Sequence, residues 1–331
     1  MPIHSQTLGV TRVFITRAIP GRAVEQLRAA GHAVDVWPEA SPPPAEVLEE
    51  ELARSHGAMT MVVDRVTPEM LDGAPNLRIV ANMAVGYDNI DPAEAAKRGI
   101  AVTNTPGVLA ETTADMAWAL LMAAARNVVA SDRDTRAGGW TTWSPTGFLG
   151  TDVYGATLGI VGLGEIGEAV ARRARGFDMR VLYTSRTRKP EAEERLGLVY
   201  AHLPELLEAS DFVSLHTPLT PQTRRMIGGL ELRLMKPTAI LVNTARGGVV
   251  DQEALIEALR EGRIGGAALD VTDPEPLPLH NALYSFPNVI ITPHIASASL
   301  ATRSRMAEMA AANIIAVLAG RAPLHPVPSK K

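Results

Sequence analysis

The stretch GIVGLGEIGEAVARRARGFDMRVLYTSRTRKP, residues 159–190, limits what this chain can fold into more than any other part of it. Gly162, Gly164 and Gly167 form G-x-G-x-x-G between an apolar, β-branched run and a helical stretch, and the run RVLYT follows about twenty residues later. That order is strand, tight turn, helix, strand. The first glycine permits the turn, the second lets backbone approach a pyrophosphate, and the third lets helix and strand pack closely, so that the helix N-terminus faces an anion. Gly162, Leu163, Gly164, Glu165, Ile166 and Gly167 are therefore the expected dinucleotide turn. Where RVLYT ends, NAD-specific sites place Asp or Glu on the ribose 2′-hydroxyl. Here Ser185 stands there, followed by Arg186, Thr187, Arg188 and Lys189. Hydroxyl and guanidinium groups suit a 2′-phosphate, which a carboxylate would repel, so the expected cofactor is NADPH, with NADH as the lesser alternative. A solvated basic turn is the competing reading of the same run.

The rest of the chain repeats this rhythm. RVFIT, AVDVW, AMTMVV, LRIVANMAV and IAVTNT alternate with helical, charged stretches, among them Pro20–Ala30 closed by Gly31. Asp91 and Pro92 read as an N-cap and first-turn pair, with Gly99 where that helix ends. From Ala110 to about Ala130 the apolar spacing predicts one long helix, and a loop rich in Gly, Thr and Trp follows. A second βαβ series runs from Thr157 through MRVLYT, DFVSLH, AILVN, GGAALDV and NVIIT, with helices to Phe177, near Pro204–Ala209 and over 252–261. A closing helix over 298–318 carries Met306, Met309, Ala310, Ile314 and Val317 on one face.

At 331 residues the chain exceeds one ordinary domain of roughly 100–200 residues, so two lobes are expected. With 46% hydrophobic and 21% charged residues and a net charge of −4, it reads as globular and lacks the basic field that would hold nucleic acid. It has no cysteine, which excludes disulfides and thiolate chemistry, and no histidine pair at zinc-motif spacing, so no metal is expected. The run MAWALLMAAA is well short of the ~20 residues of a bilayer span, and the N-terminus does not read as a signal peptide. The expectation is a cytoplasmic protein with a small-molecule partner and no membrane or nucleic-acid partner.

Three further segments, NTARGGVVD, LDVTDPEPL and TPHIASAS, fall at strand ends or just after strands, where open α/β sheets place their sites. Singly they say little. Arg246 reads equally as a surface ion pair, Glu275 as a solvated residue between prolines, and His294 as a satisfied strand-end histidine. Taken in order, however, VGYDNID, ETTADMAWALLM, GLGEIG, NTARGGVVDQEAL, ALDVTDPEPLP and TPHIAS resemble the D-isomer-specific 2-hydroxyacid dehydrogenases over nearly the whole chain. SRTRK and DVTDPEPLP look most like their glyoxylate/hydroxypyruvate reductase branch.

The resemblance implies that Arg246, Glu275 and His294 are catalytic and that Val85 and Gly86 hold the substrate carboxylate by their backbone amides. It also implies cofactor contacts from Thr113, Thr217, Pro218, Thr244, Ala245, Asp270, His294 and Ala296, with Asp270 near the nicotinamide amide. Ser297 would reach the substrate, and Trp143 would serve the neighbouring subunit's site in a homodimer. The implied fold is α/β: two Rossmann-like, doubly wound parallel-sheet lobes with the active site in a cleft between them. The substrate lobe would be 1–107 plus 294–331, and the dinucleotide-binding lobe 108–293.

The chemistry fits these assignments. Reduction of a 2-keto acid needs an anchor for the acid, a proton donor and a group that keeps the donor charged. A guanidinium fork suits the first task, an imidazole the second, and a carboxylate hydrogen-bonded to it the third, which favours reduction at neutral to mildly acidic pH. Two alternatives remain open at this stage. One is another member of the family, such as a phosphoglycerate dehydrogenase or an enzyme of broad 2-keto acid specificity. The other is a nucleotide-sensing, corepressor-like binding protein.

Overall fold

The computed structural model describes residues 10–328. These divide into two compact units, one running to Leu109 and resuming at Ala298, the other spanning Ala110–Ser297.

The first unit is built on five parallel strands, β1 (Arg12–Ile15), β2 (Ala33–Val36), β3 (Gly57–Thr60), β4 (Ile79–Asn82) and β5 (Ala101–Thr103), in the order β2-β1-β3-β4-β5. Their side chains alternate between two faces. Phe14, Ala58, Val80 and Val102 join Leu48, Leu52 and Met70 in one apolar cluster, beneath helices Ala45–Arg54 and Pro68–Asp72. On the other face lie helices Ala23–Ala29 and Leu300–Leu318. The sequence pattern for the closing helix leaves open where it packs. Its buried Met306, Ala310, Ile314 and Val317 lie over β3 and β4, and a Cβ on Gly57 would come within 3.2 Å of Ile314. Ser299 caps this helix by accepting from the Thr302 amide at 3.1 Å. Asp91 caps helix Pro92–Lys97 through the Ala93 and Glu94 amides, and Gly99 follows with a positive φ, as the Asp-Pro…Gly signature predicts.

The second unit carries seven parallel strands: β6 (Thr157–Val161), β7 (Arg180–Thr184), β8 (Val199–Tyr200), β9 (Phe212–Leu215), β10 (Ile240–Asn243), β11 (Gly266–Leu269) and β12 (Val289–Ile291). Their order is β12-β11-β10-β9-β6-β7-β8. The chain winds outward from β6 in one direction, then returns to β9 and winds outward in the other. Helices cover both faces, so the inner strands read as continuous apolar runs rather than alternating ones. Leu158, Ile160, Val181 and Val242 pack with helices Ala110–Ala125 and Glu165–Ala174, while Val161, Leu182, Val213 and Leu241 pack with helices Leu203–Ala209 and Gln252–Arg260. Trp118 fastens the first pair of helices: its indole donates to the Val170 carbonyl at 3.1 Å and its ring stacks on Phe177 at 4.8 Å. At the surface, Arg172 and Arg173 reach Glu111 and Asp115, and the Arg172 guanidinium lowers the pKa of Glu111.

The single helix expected from Ala110 to about Ala130 is in fact two. It ends at Ala125, and a new helix, Val128–Arg136, starts after Asn127, whose backbone is left-handed at φ 54°. Asn tolerates that conformation better than most residues. A returning segment holds the break in place: Thr151 donates to the Ala125 carbonyl at 2.8 Å, and the Asn127 side chain donates to the Leu149 carbonyl at 3.0 Å. A further helix, Pro190–Leu196, follows the basic turn directly, with Pro at its first position and a left-handed Gly197 after its end. That Pro…Gly pair is the one local signal for a helix that the apolar spacing does not reveal.

The two sheets differ where their strand order reverses. In the first unit the gap between β1 and β3 is filled by Asp64, only 2% exposed, which accepts from the Thr16 hydroxyl, the Met61 amide at 2.7 Å and Arg17 at 3.3 Å. In the second unit the corresponding gap, between β6 and β9, carries the glycine turn.

Candidate active site

All strands of the second sheet are parallel, so the residues that follow them collect along one edge. The glycine turn follows β6, Ser185–Lys189 follows β7, Thr217 and Pro218 follow β9, Thr244–Arg246 follows β10, Asp270–Glu275 follows β11, and His294–Ser297 follows β12. Thr113 is buried in the first turn of helix Ala110–Ala125. Val85 and Gly86 belong to the other unit, half-buried just beyond β4.

The three glycines behave as their spacing predicts. Gly162 has φ +98°, and a Cβ there would meet the backbone of His216 and Thr217 at 2.8–2.9 Å, so the turn packs against the chain leaving β9. A Cβ on Gly167 would lie 2.2 Å from the Gly162 carbonyl, which makes glycine the only residue that lets this helix meet this turn. Around Gly164 nothing comes within 4 Å of the Cβ position. Open space at the second glycine, beside the start of helix Glu165–Ala174, fits the approach of a pyrophosphate. Thr244 adds to this fit, being 7% exposed with a hydroxyl that has no hydrogen-bond partner among the described residues.

Arg246, Glu275 and His294 are positioned by backbone packing before any side chain is considered. A Cβ on Gly247 would lie 2.0 Å from the carbonyl of Thr272, so only glycine lets the loop after β10 press against the loop after β11. Asn243 ties down the first of these loops, donating to the Arg246 carbonyl at 2.9 Å and accepting from the Ala245 amide at 3.0 Å. Glu275 accepts from the Thr272 amide at 3.1 Å through Oε1 and meets His294 Nδ1 at 2.8 Å through Oε2. Glu275 and His294 thus form a pair, each about a quarter exposed, and Nε2 of His294 has no partner among the described residues.

His294 itself has a left-handed backbone, φ 52°, which costs a side-chain-bearing residue energy unless its surroundings hold it. The holder is Asp270. Its carboxylate is 1% exposed and accepts from the Thr292 hydroxyl at 2.6 Å, the Ile295 amide at 2.8 Å and the Ala296 amide at 2.7 Å, while its own carbonyl accepts from the His294 amide. Both oxygens of the residue expected beside the nicotinamide amide are therefore engaged by the turn that carries the histidine. His216, whose ring contacts Ser214 at 2.8 Å, is no competitor as proton donor, since burial lowers its pKa to about 4.

The basic turn is more structured than its sequence suggests. Ser185 donates its hydroxyl to the Thr187 carbonyl at 2.6 Å. Arg188 is gripped by Glu193, with Nε and Nη2 each 2.8 Å from a carboxylate oxygen, and Tyr183 donates to the same carboxylate at 2.6 Å. Arg188 first, and Tyr183 second, pull the Glu193 pKa down to about 2. Lys189 precedes the next helix and its ammonium lies 3.5 Å from Glu168, whereas Arg186 is exposed and makes no ion pair among the described residues. Glu193 is a neighbour of the site that no motif announces, and Asn243 opens the NTARGGVVD motif without its role in tying down the loop being read from it. The glutamate is one among several in a charged helix, and the asparagine's two hydrogen bonds to its own loop appear only in the folded chain.

Trp143 is in the loop between helix Val128–Arg136 and β6 and not in any of the loops that follow the strands of this sheet. It is 79% exposed, in a segment, 137–150, that is exposed throughout.

A family model for the NAD-binding domain of the D-isomer-specific 2-hydroxyacid dehydrogenases matches residues 118–296. The chain belongs to that family. It is an NAD(P)-dependent oxidoreductase by that membership. A glyoxylate reductase of Thermococcus gammatolerans is 56% identical over 316 residues, with 94% of each chain covered. The crystal structure of a Thermus thermophilus protein aligns with a TM-score of 0.91 at 50% identity, covering 96% of this chain and all of the other. An NADPH-dependent glyoxylate/hydroxypyruvate reductase of Sinorhizobium meliloti, solved with NADP and malonate, aligns at 0.84 with 34% identity over 96% and 97% of the two chains. Among the described residues no helix is long and apolar enough to cross a membrane, and no cluster of side chains is suited to a metal ion.

Asp270→Asn tests the holding role. An amide has one acceptor oxygen where the carboxylate has two, so one amide of the 295–296 turn loses its partner. Turnover should fall by about tenfold or more with cofactor affinity nearly unchanged in a fluorescence titration. A loss confined to cofactor affinity would make Asp270 a direct cofactor contact instead.

Proposed function

We propose that this dehydrogenase is an NADPH-preferring reductase of small 2-keto acids such as glyoxylate and hydroxypyruvate. The observation that carries the reading is the 2.8 Å pairing of His294 with Glu275 on the sheet edge that also bears the glycine turn and Arg246. Similarity to glyoxylate reductases over 94% of the chain supports the substrate class.

Gly162–Gly167, Thr217, Pro218 and Thr244 would hold the dinucleotide, and when bound it supplies a hydride to the substrate's carbonyl carbon. Arg246 grips the carboxylate or keto oxygen with its fork and stabilises the negative charge that grows there. His294 delivers a proton from Nε2 to that oxygen, which the alcohol product keeps as its hydroxyl. Glu275 holds the ring by Nδ1 throughout, which fixes its orientation and keeps Nε2 directed to the reaction. Val85 and Gly86 would bind the substrate carboxylate through their amides, and Ser297 would contact the substrate.

Preference for NADPH rests on the missing acid at Ser185 and on Arg186. Since Arg188 is already occupied by Glu193, Arg186 is the guanidinium left for a 2′-phosphate. Arg186→Ala should raise KM for NADPH about tenfold and leave KM for NADH within about twofold, whereas Arg188→Ala should do less. Equal effects on both cofactors would remove the 2′-phosphate role.

The decisive experiment measures initial rates with glyoxylate, hydroxypyruvate and pyruvate, each with NADPH and NADH, for wild type and His294→Ala. Wild type should favour the first two with NADPH, and the variant should lose at least about a thousandfold in kcat while still binding NADPH. A wild type that binds NADPH and reduces none of the three would support a nucleotide-sensing role.

The working unit on this reading is a homodimer. Helix Val128–Arg136 buries none of its residues, and the segment after it exposes Trp140, Trp143, Phe148 and Leu149. So much contiguous apolar surface suits a second copy. Sedimentation should give a dimer for wild type and a monomer for the double variant Trp140→Ser, Leu149→Ser; a monomeric wild type refutes the assignment.

A further inference from the structure

The loop proposed to hold the substrate carboxylate has an arrangement that its motif does not explain. Three successive carbonyls, those of Ala84, Val85 and Gly86, are each tied to a donor. The Thr105 amide takes the first at 2.9 Å, Asn104 Nδ2 the second at 2.8 Å, and Asn82 Nδ2 the third at 2.8 Å. In a trans peptide the C=O and the following N–H point in opposite directions. Fixing these carbonyls therefore fixes the amides of Val85, Gly86 and Tyr87, aimed away from the three donors. None of those amides has a hydrogen-bond partner among the described residues, and all three residues are at most half-buried or lie at the edge of the loop.

The two asparagines do this with different security. Asn82 is fully buried and satisfied on both sides, accepting from the Thr60 hydroxyl at 3.1 Å and donating to Asn89 at 3.2 Å, so it belongs equally to the core beneath. Asn104 immediately follows β5, with its amide 3.3 Å from the His325 carbonyl, and its side chain makes one hydrogen bond among the described residues, to Val85. That one bond sets the direction of the Gly86 amide.

We infer that Asn104 is a positioning residue for substrate: through the Val85 carbonyl it holds the Gly86 amide ready for a carboxylate. The inference rests on the reductase reading above and adds a specificity element outside the dinucleotide-binding unit. Asn104 touches neither hydride nor proton. Its removal leaves the peptide between Val85 and Gly86 free to rotate, and a carboxylate-bearing substrate loses a preformed donor.

The test compares glyoxylate with its uncharged methyl ester in wild type, Asn104→Ala and the near-isosteric Asn104→Asp, which serves if the alanine variant folds poorly. The ratio of kcat/KM for glyoxylate to that for the ester should fall about tenfold in Asn104→Ala, mostly through KM, and further in Asn104→Asp, whose charge repels both the carbonyl and the acid. KM for NADPH should be unchanged. Equal losses for the two substrates, or no loss, overturn the inference while wild-type reduction of glyoxylate leaves the reductase reading standing. A wild type inactive with glyoxylate removes that reading, and this inference with it.

Discussion

A buried carboxylate holding a left-handed histidine is the constraint from which the candidate site follows. His294 has a backbone conformation that a side chain disfavours, and it keeps it because Asp270 takes the amides on its far side and the threonine hydroxyl on its near side. Burial sharpens the arrangement, since a carboxylate with 1% exposure is stable only when its oxygens are occupied. Once that turn is set, the imidazole meets Glu275, and the close approach of Gly247 to Thr272 places Arg246 on the neighbouring loop. Each part depends on the strands being parallel, because only then do β10, β11 and β12 end on one edge.

The two units use one architecture for different ends. Both wind a parallel sheet outward in two directions from a reversal point, and such a point is a crevice by construction. In the second unit glycines keep it open. In the first, Asp64 closes it with hydrogen bonds from both flanking strand ends, and the open polar groups lie instead beyond β4, where asparagines turn a run of amides outward. A free amide run and a glycine-lined crevice both suit anions, one of carboxylate size and the other of pyrophosphate size.

The basic turn shows how a partner changes the meaning of a charge. Read as SRTRK, its arginines are interchangeable. In the fold, Glu193, which also accepts from the Tyr183 hydroxyl, binds Arg188 against Tyr200, whose ring centroid lies 5.8 Å from the guanidinium, while Arg186 stays in solvent. An arginine already paired with a carboxylate has less attraction to offer a phosphate than one that is not. The turn therefore holds one guanidinium for structure and presents another.

The second unit's reversal point and the strand runs are legible in the residues alone, because they depend on local rules: glycines where a Cβ would collide and apolar runs where both faces are covered. The candidate trio is not legible residue by residue and comes from the family resemblance that the ordered motifs carry. The helix over 110–130 reads as continuous by the same rules and is not, since the carbonyl of Ala125, where the helix ends, is taken by Thr151, twenty-six residues away. That Asp270 serves the histidine turn, that Glu193 occupies Arg188, and that Asn104 holds Val85 emerges only from the folded chain. The first and last of these join segments that no short window spans, and the Glu193 pairing, though close in sequence, needs the next helix to turn back onto the basic run. Hydrogen bonds of that kind exist only after the strands have been laid side by side.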